Sequence, residues 1–511
     1  MRRVFVFGIG GTGSRVLRSL SMFMAAGIKD QGMDSDAELV PIIIDYDVVN
    51  GDKKIATDCL ETYSRIHRSL DWTTPKGDSF FMTGISKLRD VATPGGQADT
   101  GIQSQNYDIY FGPETTSTQF SDLIKYDQML GNLDATHSFF EALYNDLPEK
   151  DRQGNENKDT ELNLNLKKGF KGNPNIGSVV FNHLKDTPEF KHFMNVFNPT
   201  QDKVFIISSI FGGTGSSGFP QIVNSIRFSQ RPGLNNAFIG AVIALPYFKI
   251  TNRGGAIDSN IFNSKTKAAL SFYETSGLNN RVNELYYIGD NTTTNLDDHD
   301  GGIEQKNNAH IVEVLAALAI VDFFSKPINN INEALEYGIQ EDATNLNLSN
   351  LYEAESVNLH FDYLTRLAYF VKYYRDVLQG KRKMISSKEA FYTGLKLAEK
   401  VGKAPLKDLE HFFTLFETWL EELANNQHAF NPYILDASKK LTKLLTHKPL
   451  QENKILPDDI RDADFTTELN DAFVPERANL KPTTELVVFF KIMRVATEKI
   501  LKKAEKLPMA K

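Results

Sequence analysis

Over its first half the chain alternates between short, uninterrupted apolar runs and stretches in which apolar residues recur every three or four positions. Val4-Phe5-Val6-Phe7, Leu39 to Ile44 and Ala237 to Leu245 are of the first kind, and 203–210 and Glu284 to Ile288 are similar apart from Lys203, Ser208, Ser209 and Glu284. Runs rich in β-branched and aromatic residues, without polar alternation, predict strands buried on both faces, as in a parallel sheet. Helical spacing predicts helices over about 14–26 (Val16, Leu17, Leu20, Phe23), 220–228, 256–274 and 307–324. Strand–helix alternation of this kind predicts an α/β fold with a doubly wound parallel sheet and a ligand over the strand carboxyl ends.

Residues 51–165 break that rhythm. The polar stretches Thr93 to Gln105 and Glu149 to Lys158 read as long loops of an insertion, with a helix around Leu133 to Asn145. Beyond 350 the pattern is helical, over 361–379, 387–402, 406–425, 433–446 and 484–505, and Lys448 to Pro482 reads as a polar surface loop. The implied organisation is a ligand-binding domain over 1–306 carrying an insertion at about 51–165, a bridging helix over 307–325, and a mainly helical C-terminal domain over 326–511.

Composition changes this picture little. At 41% hydrophobic and 24% charged residues the chain is that of an ordinary globular protein, long enough for more than one domain. A net charge of −8 argues against a general nucleic-acid binder. The single cysteine, Cys59, excludes an intrachain disulfide framework or a cysteine zinc cluster and fits a reducing compartment. The apolar run after Met1-Arg2-Arg3 is soon broken by glycines, and no window approaches the roughly 20 apolar residues of a membrane span. A cytoplasmic protein is expected. Leu486 to Met493 with Lys499, Lys502 and Lys503 reads as an amphipathic helix, docked on its own domain or offered to a membrane or partner.

The candidate chemistry lies at the ends of the first and third strand runs. Gly8-Ile9-Gly10-Gly11-Thr12-Gly13-Ser14 follows one, and Gly212-Gly213-Thr214-Gly215-Ser216-Ser217-Gly218 follows the other. A buried strand, a turn without side chains and then a helix let backbone N–H groups close on an anion at the helix N-terminus. Two loops that both read GGTGS predict two grips on one polyphosphate. Asp45 and Asp47 place carboxylates at the same edge, as ligand-site groups or as solvated strand caps. Gly172-Asn173-Pro174-Asn175-Ile176-Gly177 is a tight turn that opens a helix. No HExxH, paired CxxC or GxSxG pattern supports a metalloprotease, zinc or esterase site.

In order, these elements resemble the FtsZ/tubulin superfamily, and its divergent bacterial tubulin-like members most. Gly8, Gly10, Gly11 and Gly13 match the family's first loop, and Gly172 to Gly177 is similar to its GANPEVG loop. Gly212 to Ser216 matches the GGGTGT/S signature, except that Phe211 stands at its first position. Leu245-Pro246-Tyr247-Phe248 is similar to the turn after the next strand, and 307–324 resembles the long bridging helix. The resemblance covers about residues 1–325.

It implies that GTP or GDP, with Mg2+, is held by Gly10, Gly11, Thr12, Gly13 and Ser14 and by Gly212, Gly213, Thr214, Gly215, Ser216 and Ser217. Asn173, Pro174 and Asn175 would close over the terminal phosphate, Asp45 or Asp47 would lie near the phosphates or the magnesium, and Asn308 would face the base or simply cap its helix. It also implies head-to-tail self-assembly into filaments, in a bacterial cytoskeletal, membrane-remodelling or defence role with a membrane-associated or operon-encoded partner. Family members complete hydrolysis between subunits with an acidic loop after the bridging helix. Here Ser325-Lys326-Pro327-Ile328-Asn329-Asn330 carries no aspartate, which leaves Asp322 and Asp362 as the candidate catalytic carboxylates. The alternatives are a non-hydrolysing nucleotide-bound scaffold, a Rossmann-type dinucleotide enzyme or an adenylating enzyme. Asp45 lies further on than the roughly 20 residues a dinucleotide fingerprint uses.

Overall fold

Seven strands form one parallel sheet in the computed structural model of the chain. The structure describes residues 2–28, 37–70, 79–93, 102, 104–111, 119–126, 134–144, 161–170, 172–251, 262–290, 294–297, 302–328, 333–337, 345–346, 355–379, 389–433, 435 and 462–506. The strands are β1 (Arg3–Ile9), β2 (Glu38–Ile44), β3 (Gly84–Ile85), β4 (Lys203–Ser209), β5 (Phe238–Ala244), β7 (Glu284–Ile288) and β9 (Glu333–Tyr337). A separate parallel pair is made by β6 (Phe248–Thr251) and β8 (Thr294–Asp297). The sheet order is β3-β2-β1-β4-β5-β7-β9, so the direction of winding reverses between β1 and β4. In an open α/β sheet that reversal opens a crevice at the carboxyl ends of the two strands.

Every residue of β4 and β5 is buried, because helices cover both faces of the sheet. On one face, Phe5 and Phe7 of β1 meet Phe193 of α4 (Pro188–Val196) at ring separations of 5.2 and 5.0 Å. α3 (Pro174–Val180) and α5 (Gly213–Arg227) lie on this side, where a Cβ on Gly218 would stand 3.0 Å from Ile9. On the other face, Gly8 admits Leu17 of α1 (Gly10–Ala25), and Gly240 admits Phe323 of α7 (Ile311–Ser325). A Cβ at either glycine would stand 2.7 Å from the helix side chain.

The C-terminal helices cover α1 and its neighbour α2 (Gly51–Ser69). Phe361 of α8 (Glu355–Tyr373) packs on Phe23, and Trp419 of α9 (Leu406–Ala424) donates its Nε1–H to Ser19. α11 (Glu485–Lys506) buries Phe489, Phe490, Ile492 and Met493, with Phe490 5.7 Å from Phe81, so this amphipathic helix is docked on its own chain. α1 therefore has no solvent face, and its Arg15, Arg18 and Ser19 are buried. No helix among the described residues is long and apolar enough to cross a membrane.

Several boundaries depart from the sequence reading. α1 and α5 begin inside the glycine loops, at Gly10 and Gly213. Pro220 sits within α5, and the Ser216 carbonyl its missing N–H leaves open accepts the hydroxyl of Tyr273 instead. The bridging helix starts at Ile311, not 307, because His310 takes the N-cap: its Nδ1 accepts the Val312 N–H. The expected loop 448–482 contains α10 (Asp462–Arg477), whose Phe465, Leu469 and Phe473 form a buried stripe at a spacing of four. The predicted helix 387–402 is two short pieces, Ala390–Gly394 and Leu397–Lys400, separated at Lys396 with φ +52°. The predicted helix 433–446, the loop Glu149 to Lys158 and most of Thr93 to Gln105 lie outside the described residues.

Candidate functional site

Parallel register sets the site. Ile9 pairs with Ile44, so the first glycine loop and Asp45 leave adjacent strands side by side. Gly8 pairs with Ile207, which sets the second loop on the other flank. The two loops touch: a Cβ on Gly10 would stand 3.5 Å from Cβ of Thr214. Gly10 itself has φ +67°, a left-handed conformation that glycine adopts without strain. The turn at 172–177 joins them, since a Cβ on Gly213 would stand 2.8 Å from the Asn173 nitrogen, and Gly177 lies against Oγ of Ser217. Three motifs far apart in sequence thus meet at the point where the winding reverses.

Packing alone explains part of the glycine content. Gly13 crosses Gly8, where a Cβ would strike backbone, and Gly215 lies on Ser209 in the same way. Packing does not explain the open donors. At the N-cap positions of α1 and α5, Ile9 and Gly212 supply no side-chain cap, and neither helix has an acidic residue in its first turn. By contrast α2, α4 and α7 are capped by Asn50, Thr187 and His310 and carry Asp52, Glu189 and Glu313 in their first turns. Two helix N-termini therefore present uncapped N–H groups and positive dipole ends at one place. Ser14, fully buried in α1, has a hydroxyl with no hydrogen-bond partner. Such a set fits a phosphate-bearing ligand.

The other predicted residues divide. The hydroxyls of Ser216 and Ser217 bond back to the carbonyls of Gly212 and Gly213, at 2.5 and 2.6 Å. Thr12 Oγ1 lies 3.4 Å from the Arg15 guanidinium. Asn173 and Pro174 are half-buried and Asn175 is exposed, while Lys265 of α6 (Phe262–Thr275) brings a cation to the turn by donating to the Gly172 carbonyl at 2.7 Å. Asp45 is buried and accepts the Asp47 N–H at 3.0 Å; burial lifts its carboxyl to about 7, against the pull of Lys53. Asp47 is a loop-holding residue, its two oxygens accepting the N–H groups of Val49 and Gly302. Asn308 is exposed, two positions before the true N-cap.

Asp322 and Asp362 lie away from the glycine loops. Asp322 is in the last turn of α7, at the amino-terminal edge of the sheet, where it accepts the Tyr286 hydroxyl at 2.8 Å and pairs with Lys326 at 3.4 Å. Asp362 follows Phe361, which packs near the far end of α1. Within one chain the structure does not bring either to the loops.

Sequence reading missed the group beneath the first loop. Arg15 pairs with Asp52 of α2 and with Glu313 of α7 (2.5 Å), and its Nη2 donates to the Tyr247 hydroxyl at 2.9 Å. Tyr247 in turn donates to Glu313 at 2.7 Å. The Asn307 and His310 N–H groups donate to Asp52 and Glu313 at 2.9 and 3.0 Å. The legible signal was a pair of arginines, Arg15 and Arg18, among the apolar residues of one helix, with an acid two or three residues after each of Asn50 and His310. Beside this group the bonded pair His428–Asp290, at 2.6 Å, lies near His310, whose imidazole burial pushes down to about 4. Among the described residues no three His, Cys, Asp or Glu side chains are arranged to hold a metal ion by themselves. Magnesium here would draw ligands from a phosphate.

No family model and no curated protein matches the chain. Among solved structures it is similar to a GTPγS-form protofilament of TubZ from Bacillus thuringiensis serovar israelensis, at 13% identity and a TM-score of 0.22. That alignment covers 64% of this chain and 57% of the length of that one.

Proposed function

We propose that the protein binds a guanine nucleotide, as the FtsZ/tubulin resemblance implies, and assembles head to tail around it. One observation carries the reading: two uncapped glycine-loop helix starts, led by Gly10 and Gly213, meet where the sheet reverses its winding. Phosphate oxygens would accept the open N–H groups and the orphaned Ser14 hydroxyl, while the dipoles of α1 and α5 favour their charge. Asp45 is the carboxylate nearest in register to take part in holding magnesium, whose bound form would supply charge neutralisation at the phosphates.

The choice of guanine, the filament and the cellular setting rest on the sequence resemblance. The positions of Asp322 and Asp362 at the far end of α7 and α1 support a heterologous contact, in which one subunit's carboxylate serves the next subunit's site. A second reading, a nucleotide-bound scaffold without turnover, is favoured by the engagement of Asp322 with Tyr286 and Lys326.

Mass spectrometry of small molecules released from the purified full chain tests the binding assignment. GDP or GTP is expected, and Gly213→Asp should lose it, because a Cβ there already meets Asn173 and the carboxylate would repel phosphate. Retained nucleotide in that variant, or NAD in its place, would overturn the reading. Hydrolysis that rises faster than linearly with protein concentration separates the assembling GTPase from the scaffold.

A further inference from the structure

We propose that anion binding on the first glycine loop is coupled to uptake of a proton by Asp52, the carboxylate beneath that loop. The inference rests on the phosphate assignment above. A Cβ on Gly11 would stand 2.9 Å from Oδ2 of Asp52 and 3.3 Å from Nη1 of Arg15, so the carboxylate lies directly against the backbone of the first glycine loop.

The groups facing Asp52 come from every neighbouring element. Arg15 of α1 bonds Oδ2, and the Asn307 N–H bonds Oδ1. Glu313 of α7 shares the same guanidinium, with Tyr247 bridging the two and the His310 N–H on its other oxygen. Asp45 ends β2 beside them, with Lys53 one residue along α2 pairing outward to Asp108. At the centre one guanidinium therefore meets two carboxylates, with side-chain exposures of 4%, 1% and 0% for Arg15, Asp52 and Glu313. The cluster carries one net negative charge, offset in the ligand-free protein by the N-terminal dipoles of α2 and α7, whose first turns hold the two acids.

A polyphosphate brought against Gly11 adds negative charge a few ångströms away across a dry backbone, where repulsion is weakly screened. Protonation of Asp52 relieves it with the least disruption. Each carboxylate takes one bond from Arg15, but Glu313 accepts three hydrogen bonds in all, whereas Asp52 accepts two. Burial has already raised the Asp52 carboxyl to about 6, against the pull of Arg15. A nearby anion raises it further, so the bound state carries more protons than the free state and binding weakens as pH rises above that value.

The experiment is GDP binding to the full chain and to Asp52→Asn, at fixed magnesium, across pH 6 to 8.5. Wild type should lose affinity by up to about tenfold per pH unit more than the variant, since one proton is linked. The ligand's own titration is common to both chains and cancels. Asp52→Asn should bind more tightly than wild type at pH 8. Calorimetry of wild type in buffers of differing ionisation enthalpy gives the proton count directly, and it stands even if the variant folds poorly. Equal pH slopes in the two chains, or no proton uptake by wild type, would sink the coupling while leaving the phosphate site intact. Absence of GDP binding at every pH would sink the phosphate site itself.

Discussion

Thr214 and Gly10 stand close enough that a Cβ at residue 10 would lie 3.5 Å from that of Thr214, within the span a disulfide bridges. The two residues open helices on opposite faces of the sheet. Oxidised Gly10→Cys/Thr214→Cys should therefore cross-link within one chain, read as a mobility shift on non-reducing gels. The native Cys59 is buried, with its thiol pushed up to about 12 by that burial, and should not compete. Under the proposed phosphate assignment, the cross-linked form should fail to hold nucleotide and the reduced form should bind it. Gly10→Cys must hold the left-handed backbone of that position, so the double variant that would separate the loops is one that melts like wild type yet stays reduced under oxidant.

Lys203, the first residue of β4, closes the last turn of α7: its ammonium donates to the carbonyls of Phe323 and Phe324 at 3.0 and 2.9 Å, and to Lys326. Lys203→Met leaves buried carbonyls without donors and should cost about 2 kcal/mol in chemical denaturation. Burial lowers the Lys203 ammonium to about 8, below the ordinary 10.5. Between those values the unfolded chain binds the extra proton, so this group's contribution rises with pH. The wild-type advantage over Lys203→Met should widen from pH 8 to 10.

Asp45 titrates in the opposite sense. Its carboxyl, lifted to about 7 by burial, holds a proton in the fold that the unfolded chain gives up near 4. The stability of the ligand-free wild type relative to Asp45→Asn should therefore fall as pH rises from 4 to 7, and the variant should melt higher at pH 8. Thermal melts of the two chains across this range decide it. A parallel slope in both would place the titration elsewhere.

Glu422 ties the C-terminal helix α9 to α1 and to the segment that leads into the bridging helix. It takes Arg18 of α1 in a two-point pair at 2.5 and 3.2 Å and accepts the Ala309 N–H at 2.9 Å, while Asn426 donates to the Ala309 carbonyl. Glu422→Ala leaves a buried guanidinium and a backbone donor unmatched and should cost about 3 kcal/mol. Glu422→Gln, which keeps the acceptor, should cost less. Equal loss in the two variants would mean that packing, not the pair, holds the segment.

Much of this architecture was legible locally. The strand runs at 3–9, 38–44, 203–209, 238–244 and 284–288 emerged within a residue or two of their predicted bounds, because a strand buried on both faces needs nothing but apolar side chains. α10 escaped notice because Pro475 and a polar surround masked the stripe Phe465, Leu469 and Phe473. Arg15, Asp52 and Glu313 escaped for a different reason. Each is an ordinary helix residue in its own segment, and only the packing of α1, α2 and α7 together turns them into one buried cluster.

By itself the sequence determined where the chain is extended, where it coils and where side chains are missing, since periodicity and glycine act over a few neighbouring residues. Tertiary structure alone decided that the winding reverses between β1 and β4, which sets the loop at Gly10 against Thr214 and leaves both helix starts uncapped at one edge. It also decided that His310, not Asn308, caps the bridging helix and that Asp322 faces the opposite end. Such outcomes depend on which distant surfaces fill one another's volume, and a repeating apolar pattern records that a face is covered without recording by what.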